Sequence, residues 1–287
     1  MANSRQVQQR ISTAQNISQI TKAMEMVSAS KMRRAQDQTL AARPYAQALA
    51  SSLRSLAQAT SSDLHPLLSR HSNGFEVLVV IATNRGLCGS LNQSVFKHVG
   101  RWVQQHPHGE LILVGKKSVA FAKFMGLETY AQFTAMPDTM SLEDILPVST
   151  LIINKFIGRE FKSVEIIYTD FINTLSQKVA HSQLLPIKLE NEELILAESE
   201  TAEYVFEPTA KEILEELLPY YIENALYHAF LEAKASEHSA RMVAMKNASE
   251  NAHELVSELK LIFNKTRQES ITNELLEITT ATLSLES

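Results

Sequence analysis

Four groups of residues in this chain could carry chemistry, and each is incomplete. Arg85-Gly-Leu-Cys-Gly89 lies between an apolar run and a helical stretch, where nucleotide phosphates meet backbone N–H groups in many α/β proteins. It lacks the third glycine of a dinucleotide fingerprint and the Gly-Lys-Ser/Thr of a P-loop, so it reads as a tight turn needing glycine for its backbone. Cys88, the single cysteine, stands near a helix N-terminus, where a thiolate is favoured. No histidine lies beside it in sequence, and a small packed residue is the better reading. His106-Pro-His108 offers two imidazoles to a metal, but no third ligand is nearby and no HExxH or paired-cysteine spacing occurs. A solvated turn accounts for it. Lys31-Met-Arg-Arg34 fits either the solvated face of a coiled coil or contact with acidic partner loops. Nucleic-acid binding is disfavoured by the absence of interleaved aromatics and by the acidic helix expected beside it. No carboxylate pair is marked as acid and base. Neither a cofactor nor a metal is expected.

The elements that must position these residues follow from hydrophobic period and breaker residues. From Asn3 to about Thr60 the chain reads as helix, with a stripe through Val7, Ile11, Ala14, Ile17, Ile20, Met24 and Val27. Pro44 predicts an interruption near Ala42–Arg43. The stripe resumes at Leu49, Leu53 and Leu56. Residues 60–73, rich in Ser and His, read as a linker. Phe75-Glu-Val-Leu-Val-Val-Ile-Ala82 is a continuous apolar run of strand length, suited to burial on both faces. Helix is expected over 91–105, 116–125 and 142–156, the last with acids in its first turn, and strand over 110–114 and 163–168. Residues 174–205 are polar and β-like. Such alternation implies a parallel sheet.

From Tyr220 onward the 68 remaining residues contain neither Gly nor Pro. A seam runs through Ile222, Leu226, Ala229, Ala233, Ser236, Ala240 and Val243. It steps to Ala248, Ala252, Leu255, Leu259, Ile262 and Thr266, and again to Ile271, Leu275 and Ile278. Spacing near 3.5 residues is what a helix needs to wind on a partner. Charge indicates which partner. Residues 1–60 carry eight basic groups against two acids, residues 209–283 seven against twelve. Opposite signs at the two ends predict antiparallel pairing of the first helix with the last. The expected division is an N-terminal coiled-coil helix over 1–60, a central α/β domain over 74–206 and a C-terminal coiled-coil helix over 209–287. The fold class is α/β, with a Rossmann-like domain inserted in a long antiparallel coiled coil.

Length, a net charge of −5 and an apolar fraction of 45% fit a soluble protein with a real core. One cysteine fits a reducing compartment. No run is long enough to span a membrane, and MANSRQVQQR has no apolar segment for a signal peptide.

Several motifs then carry a resemblance. Ile20-Thr-Lys-Ala-Met-Glu-Met-Val27 with Ser30-Lys-Met-Arg-Arg34 resembles the N-terminal helix of the γ subunit of bacterial F-type ATP synthases. Asn84-Arg-Gly-Leu-Cys-Gly89 with Leu91-Asn92 is similar to the family's turn, as is Asn154-Lys-Phe-Ile157 or Asp170-Phe-Ile-Asn-Thr174 before Ser182-Gln-Leu-Leu-Pro186. Most specific are Glu237-His-Ser-Ala-Arg-Met-Val-Ala-Met-Lys246, Asn264-Lys-Thr-Arg-Gln268 and Ser270-Ile-Thr-Asn-Glu274. The matches run in family order from about residue 5 to residue 278. The family's closing Gly-Ala is replaced by Ala281-Thr282.

The resemblance implies a non-catalytic rotor shaft that couples proton flow in the membrane sector to ATP synthesis or hydrolysis at the β subunits. Its partners would be the α and β subunits of the α3β3 ring, the ε subunit and the membrane c-ring. It would sit peripherally on the cytoplasmic face of the bacterial inner membrane. Met24, Arg33, Arg34, Arg241, Arg267, Gln268, Thr272 and Glu274 would contact β, and Tyr204, Phe206 and Glu207 would lie near ε and the c-ring. From the residues alone, a coiled-coil adaptor and a soluble nucleotide-binding α/β enzyme stay open.

Overall fold

A computed structural model describes residues 4–58, 65–187 and 209–286. Helix α1 spans Ser4–Gln58 and helix α5 spans Ala210–Glu286. Between them lie β1 (Phe75–Ile81), α2 (Leu91–Gln105), β2 (Glu110–Val114), α3 (Lys116–Met125), β3 (Ala131–Phe133), α4 (Leu146–Ile157), β4 (Phe161–Phe171) and β5 (Gln177–Leu185). The chain forms two compact units, Met1–Ser28 with Met242–Ser287, and Ala29–Arg241.

In the first unit the start of α1 runs antiparallel to the end of α5. Val7, Ile11 and Ala14 pack against Val256, Leu259 and half-buried Phe263. Ser18 Oγ donates to the Ser249 carbonyl at 3.4 Å, and Ser249 Oγ returns a bond to the Ser18 carbonyl at 3.3 Å. Hydroxyls reaching across to the opposite backbone require close helix axes, which the small residues of both seams permit.

The buried seam differs from the stripe expected. On α1 it continues from Ala14 through Thr21 and Ser28, leaving Ile17, Ile20 and Val27 exposed. On α5 it passes through Ala252, Val256 and Leu259, while Leu255 and Ile262 face outward. Past Ala14 the small residues Thr21 and Ser28 take the seam of α1, where they let the axes approach, and Ile17, Ile20 and Val27 lie on its flanks. Beyond Phe263 the other helix is running out. Ile271, Leu275 and Ile278 are about half to two-thirds exposed, at 49%, 59% and 64%.

The second unit holds a five-stranded sheet of order β3-β2-β1-β4-β5. Its first four strands are parallel and β5 is antiparallel to β4. β1 shows why both its faces are apolar. Leu78 and Val80 join Val95, Val99 and Trp102 of α2 and Ala122 of α3 on one side. Val77, Val79 and Ile81 join Val148, Ile152 and Phe156 of α4 on the other, together with Leu53 of α1 and Leu218, Ile222, Leu226 and Phe230 of α5. Alternation with period two sends successive residues to opposite layers. Gly115, with φ +93°, is required at the β2–α3 turn, since a Cβ there would meet the Ala82 carbonyl at 2.1 Å.

Three local expectations are corrected. Helix α1 passes Pro44 without a break, as α5 passes Pro219 within the single helix expected there. A proline inside a helix costs about 3 kcal/mol, whereas burying one Leu or Ile returns about 1.5–3. Leu214, Leu218 and Ile222 are all buried around Pro219, and Leu49 and Leu53 follow Pro44, so tertiary packing carries both helices through. Helix α4 begins at Leu146 rather than 142, with Pro147 in its first turn and no acid there. Asp144 instead closes the preceding turn by accepting from the Ser141 N–H and hydroxyl. The short edge strand β3, within a stretch given no element by its sequence, pairs with β2.

Candidate functional site

In an open α/β sheet the ligand crevice lies at the carboxyl ends of the strands where strand order reverses. Here that point lies between β1 and β4, and the chain fills it with its own helix. A cavity of about 20 Å³, room for roughly one water, lies between Thr83, Asn84, Thr169, Phe230, Lys234 and Glu237.

The residues of α5 that enter this place are charged. Lys234, Glu237 and Arg241 follow at spacings of three and four, which puts them on one helical face. Their residues are only 8%, 4% and 7% exposed. Lys234 Nζ lies 3.4 Å from Glu237, and Glu237 accepts from Arg241 Nη2 at 2.9 Å. Burial of such ions is unfavourable unless their remaining donors are satisfied. Arg241 meets that condition by donating to the carbonyls of Arg85 (3.2 Å) and Gly86 (3.2 Å from Nη2, 3.3 Å from Nε).

At the other end, Asp138 of the β3–α4 connection lies 3.8 Å from Lys234 and accepts a hydrogen bond from Lys31 of α1. Lys31 holds the Asp138 carboxyl below the usual range for an aspartate, against the opposing effect of burial. The same connection is tied down twice more. Asn84 Nδ2 donates to the Met136 carbonyl at 3.1 Å, and the Tyr227 hydroxyl donates to the Met140 carbonyl at 3.4 Å.

This arrangement also accounts for the Arg85–Gly89 turn. Thr83 donates its hydroxyl to the Arg85 carbonyl at 2.7 Å, and Asn92 closes the turn by accepting from the Thr83 N–H at 3.3 Å. Its carbonyls are held by a guanidinium, an arrangement opposite to a phosphate cradle. Leu87 takes φ +62° and points its side chain outward, 62% exposed. Cys88 is buried, its thiol pKa raised by burial, and Asn92 Nδ2 donates to its Sγ at 3.3 Å. It is a packed residue. His238 is buried beside the charges, with Nδ1 lacking a hydrogen-bond partner among the described residues. Burial lowers its pKa to about 4, reinforced by the cations Arg241 and Lys234 and opposed by Glu237 and Asp138.

The residues expected at subunit contacts fall into three sets. Arg33 and Arg34 are exposed on α1 with no carboxylate partner among the described residues, and Met24 is half-buried. Arg267, Gln268, Thr272 and Glu274 are exposed on α5. Arg241 differs: it is spent within the chain. Tyr204, Phe206 and Glu207 lie outside the described residues. His106 stacks on Trp102 with ring centroids 4.4 Å apart and lies 3.7 Å from Glu76. No cluster able to hold a metal ion occurs among the described residues.

Asp138 and Lys234 were not singled out by sequence reasoning. The spacing of Lys234, Glu237 and Arg241 was a usable signal for an intrahelical charge ladder. Nothing in sequence links Asp138 to it.

Comparison with known proteins places these features in a common frame. Residues 3–285 match the protein family described as ATP synthase. A protein of Dehalococcoides mccartyi named ATP synthase gamma chain is 42% identical over 281 residues, 97% of each chain. The protein of the same name from Glaesserella parasuis is 40% identical over 283 residues, 97% of this chain and 98% of that one. Among solved structures, the central stalk and c-ring of the Tetrahymena thermophila mitochondrial ATP synthase includes a chain 26% identical to this one. Its TM-score is 0.62, over 80% of this chain and 99% of that one. A chain of the Euglena gracilis mitochondrial enzyme shares the fold, with TM-score 0.65 at 23% identity over 98% of this chain and 94% of that one.

Proposed function

Because the chain belongs to the ATP synthase gamma family and is the central stalk of F1, we propose that it is a non-catalytic rotor shaft. Its turning couples proton flow in the membrane sector to nucleotide turnover at the β subunits. The observation that carries this reading is the exposed end of α5. Ile271, Leu275 and Leu276 are 49%, 59% and 59% exposed near the end of this helix. A run of half-exposed branched residues calls for an enclosing partner, and a ring of α and β subunits supplies one.

Two further features support the reading. The Arg85–Gly89 turn has its carbonyls committed to Arg241, which disfavours nucleotide chemistry in this chain. No helix among the described residues is long and apolar enough to cross a membrane, in keeping with a peripheral subunit on the cytoplasmic face of the inner membrane. Partners are the α and β subunits of the α3β3 ring, the ε subunit and the c-ring, with Tyr204, Phe206 and Glu207 assigned to the last two.

Mechanistically, a shaft acts by contacting open and closed β subunits with different energy, shifting their populations as it turns. Met24, Arg33 and Arg34 are placed at acidic loops of β, and Arg267, Gln268, Thr272 and Glu274 at loops around the shaft's end. Exposed ion pairs of about 0.2–1 kcal/mol suit a contact that must break each turn. Arg241 acts indirectly, through the turn that it holds.

The test is assembly and coupling. Mixed with purified α and β subunits, the chain is expected to co-purify in one copy with three of each and to support ATPase activity. Failure to do so, together with nucleotide binding by the isolated chain in calorimetry, would replace this reading with that of a nucleotide-binding enzyme.

A further inference from the structure

From Lys234 to Ser239, six consecutive residues of α5 are buried. A helix buried on every side is enclosed, yet four of these six residues, Lys234, Ser236, Glu237 and Ser239, are polar or charged and a fifth is His238. The apolar face further back, Leu218, Ile222, Leu226 and Phe230, explains attachment of α5 to the sheet. It does not explain a polar collar.

The attachments come from opposite sides of the helix. At about 100° per residue, Lys234, Glu237 and Arg241 fall on one side and Ser239 on the other. On the first side stand Asp138, tied to Lys31 of α1, and the carbonyls of Arg85 and Gly86. On the second, Ser239 Oγ donates to the Thr174 carbonyl at the β4–β5 turn, at 2.7 Å. Three separate segments therefore grip one stretch of helix, and Lys31 of α1 holds one of them through Asp138.

Apolar contact is non-directional and tolerates rolling, whereas hydrogen bonds weaken steeply with misalignment. We propose that Lys31, Asp138, Lys234, Glu237, Ser239 and Arg241 form a rotational clamp locking residues 210–241 of α5 to the sheet. Torque on the helix then reaches the sheet without slip. These are positioning residues for the coupled reaction, and their role rests on the central-stalk reading above.

The test uses the assembled enzyme in sealed vesicles, with ATP hydrolysis and ATP-driven acidification measured in parallel. Asp138→Asn combined with Ser239→Ala loosens the collar from both sides at residues that leave the apolar attachment intact. Acidification per ATP hydrolysed is expected to fall about threefold or more, and Asp138→Glu with Ser239→Thr to restore it. High salt should lower the ratio in the native enzyme, since the Asp138 side chain is 43% exposed. An unchanged ratio in the Asn/Ala variant overturns the clamp. So does a parallel fall of both rates with thermal stability, which is what a merely structural contact would give. A native chain that assembles but never acidifies the vesicles removes the central-stalk reading and the clamp with it. The two failures are thus told apart.

Discussion

Glu237 and Arg241 stand one helical turn apart on α5, joined by a 2.9 Å ion pair that water scarcely reaches. The carboxylate does not merely neutralise the guanidinium. It orients it, so that the remaining N–H groups meet two carbonyls of the β1–α2 turn, 155 and 156 residues away in sequence.

Removing Arg241 leaves Glu237 with only Lys234 as an ion partner among the described residues, at 3.4 Å, and takes the guanidinium donors from two carbonyls. Arg241→Met is therefore expected to destabilise the chain by about 3–5 kcal/mol, seen as a lower urea midpoint by circular dichroism. Glu237→Gln with Arg241→Met should recover part of that loss, because the buried carboxylate that has lost its shorter ion pair is gone. A double variant less stable than Arg241→Met alone would contradict the pairing.

His238 gives a pH dependence of definite sign. Its folded pKa, about 4, lies below the ordinary 6.5. The unfolded chain therefore takes up the proton first as pH falls, and stability drops between pH 6.5 and 4. About 3 kcal/mol is at stake. His238→Gln is expected to flatten the urea midpoint over that interval, while Asp138, whose pKa is lowered, contributes only below it.

The seam can be checked one turn apart. Leu259→Ala removes a side chain of a buried residue and should cost about 2–5 kcal/mol. Leu255→Ala, at a position 47% exposed, should stay within about 0.5 kcal/mol. Equal losses would restore the stripe read from the sequence.

Gly115→Ala should lower thermal stability by several kcal/mol. The residue has φ +93°, and its new Cβ would sit on the Ala82 carbonyl. Gly126→Ala, where a Cβ meets nothing within 4 Å but φ is +66°, carries only the backbone cost. Thermal melts of the two variants should separate clearly.

Where sequence reasoning succeeded, the information was local. The run from Phe75 to Ala82 could only be a strand covered on both faces, and the opposite charges of the two ends pointed to their pairing. Failures came where a distant partner decided. Pro44 predicted a break by local rules, but Leu49 and Leu53 are buried just beyond it and help override it. Ile17 and Ile20 were assigned to the seam because they are apolar, and lost it to Thr21 and Ser28 because a close helix pair favours small residues. The charge ladder on α5 was legible in its spacing. Asp138, lying on an exposed loop with no motif around it, became visible only when the chain was folded.

The bond between Ser18 and Ser249 spans 231 residues of sequence. A ribosome needs roughly 10–50 s to make that much chain. Throughout that interval the first helix exists without the strand of protein meant to cover it. Val7, Ile11 and Ala14 have only water or a chaperone to face until the last helix leaves the exit tunnel. The shaft is thus among the last parts of the molecule to assemble.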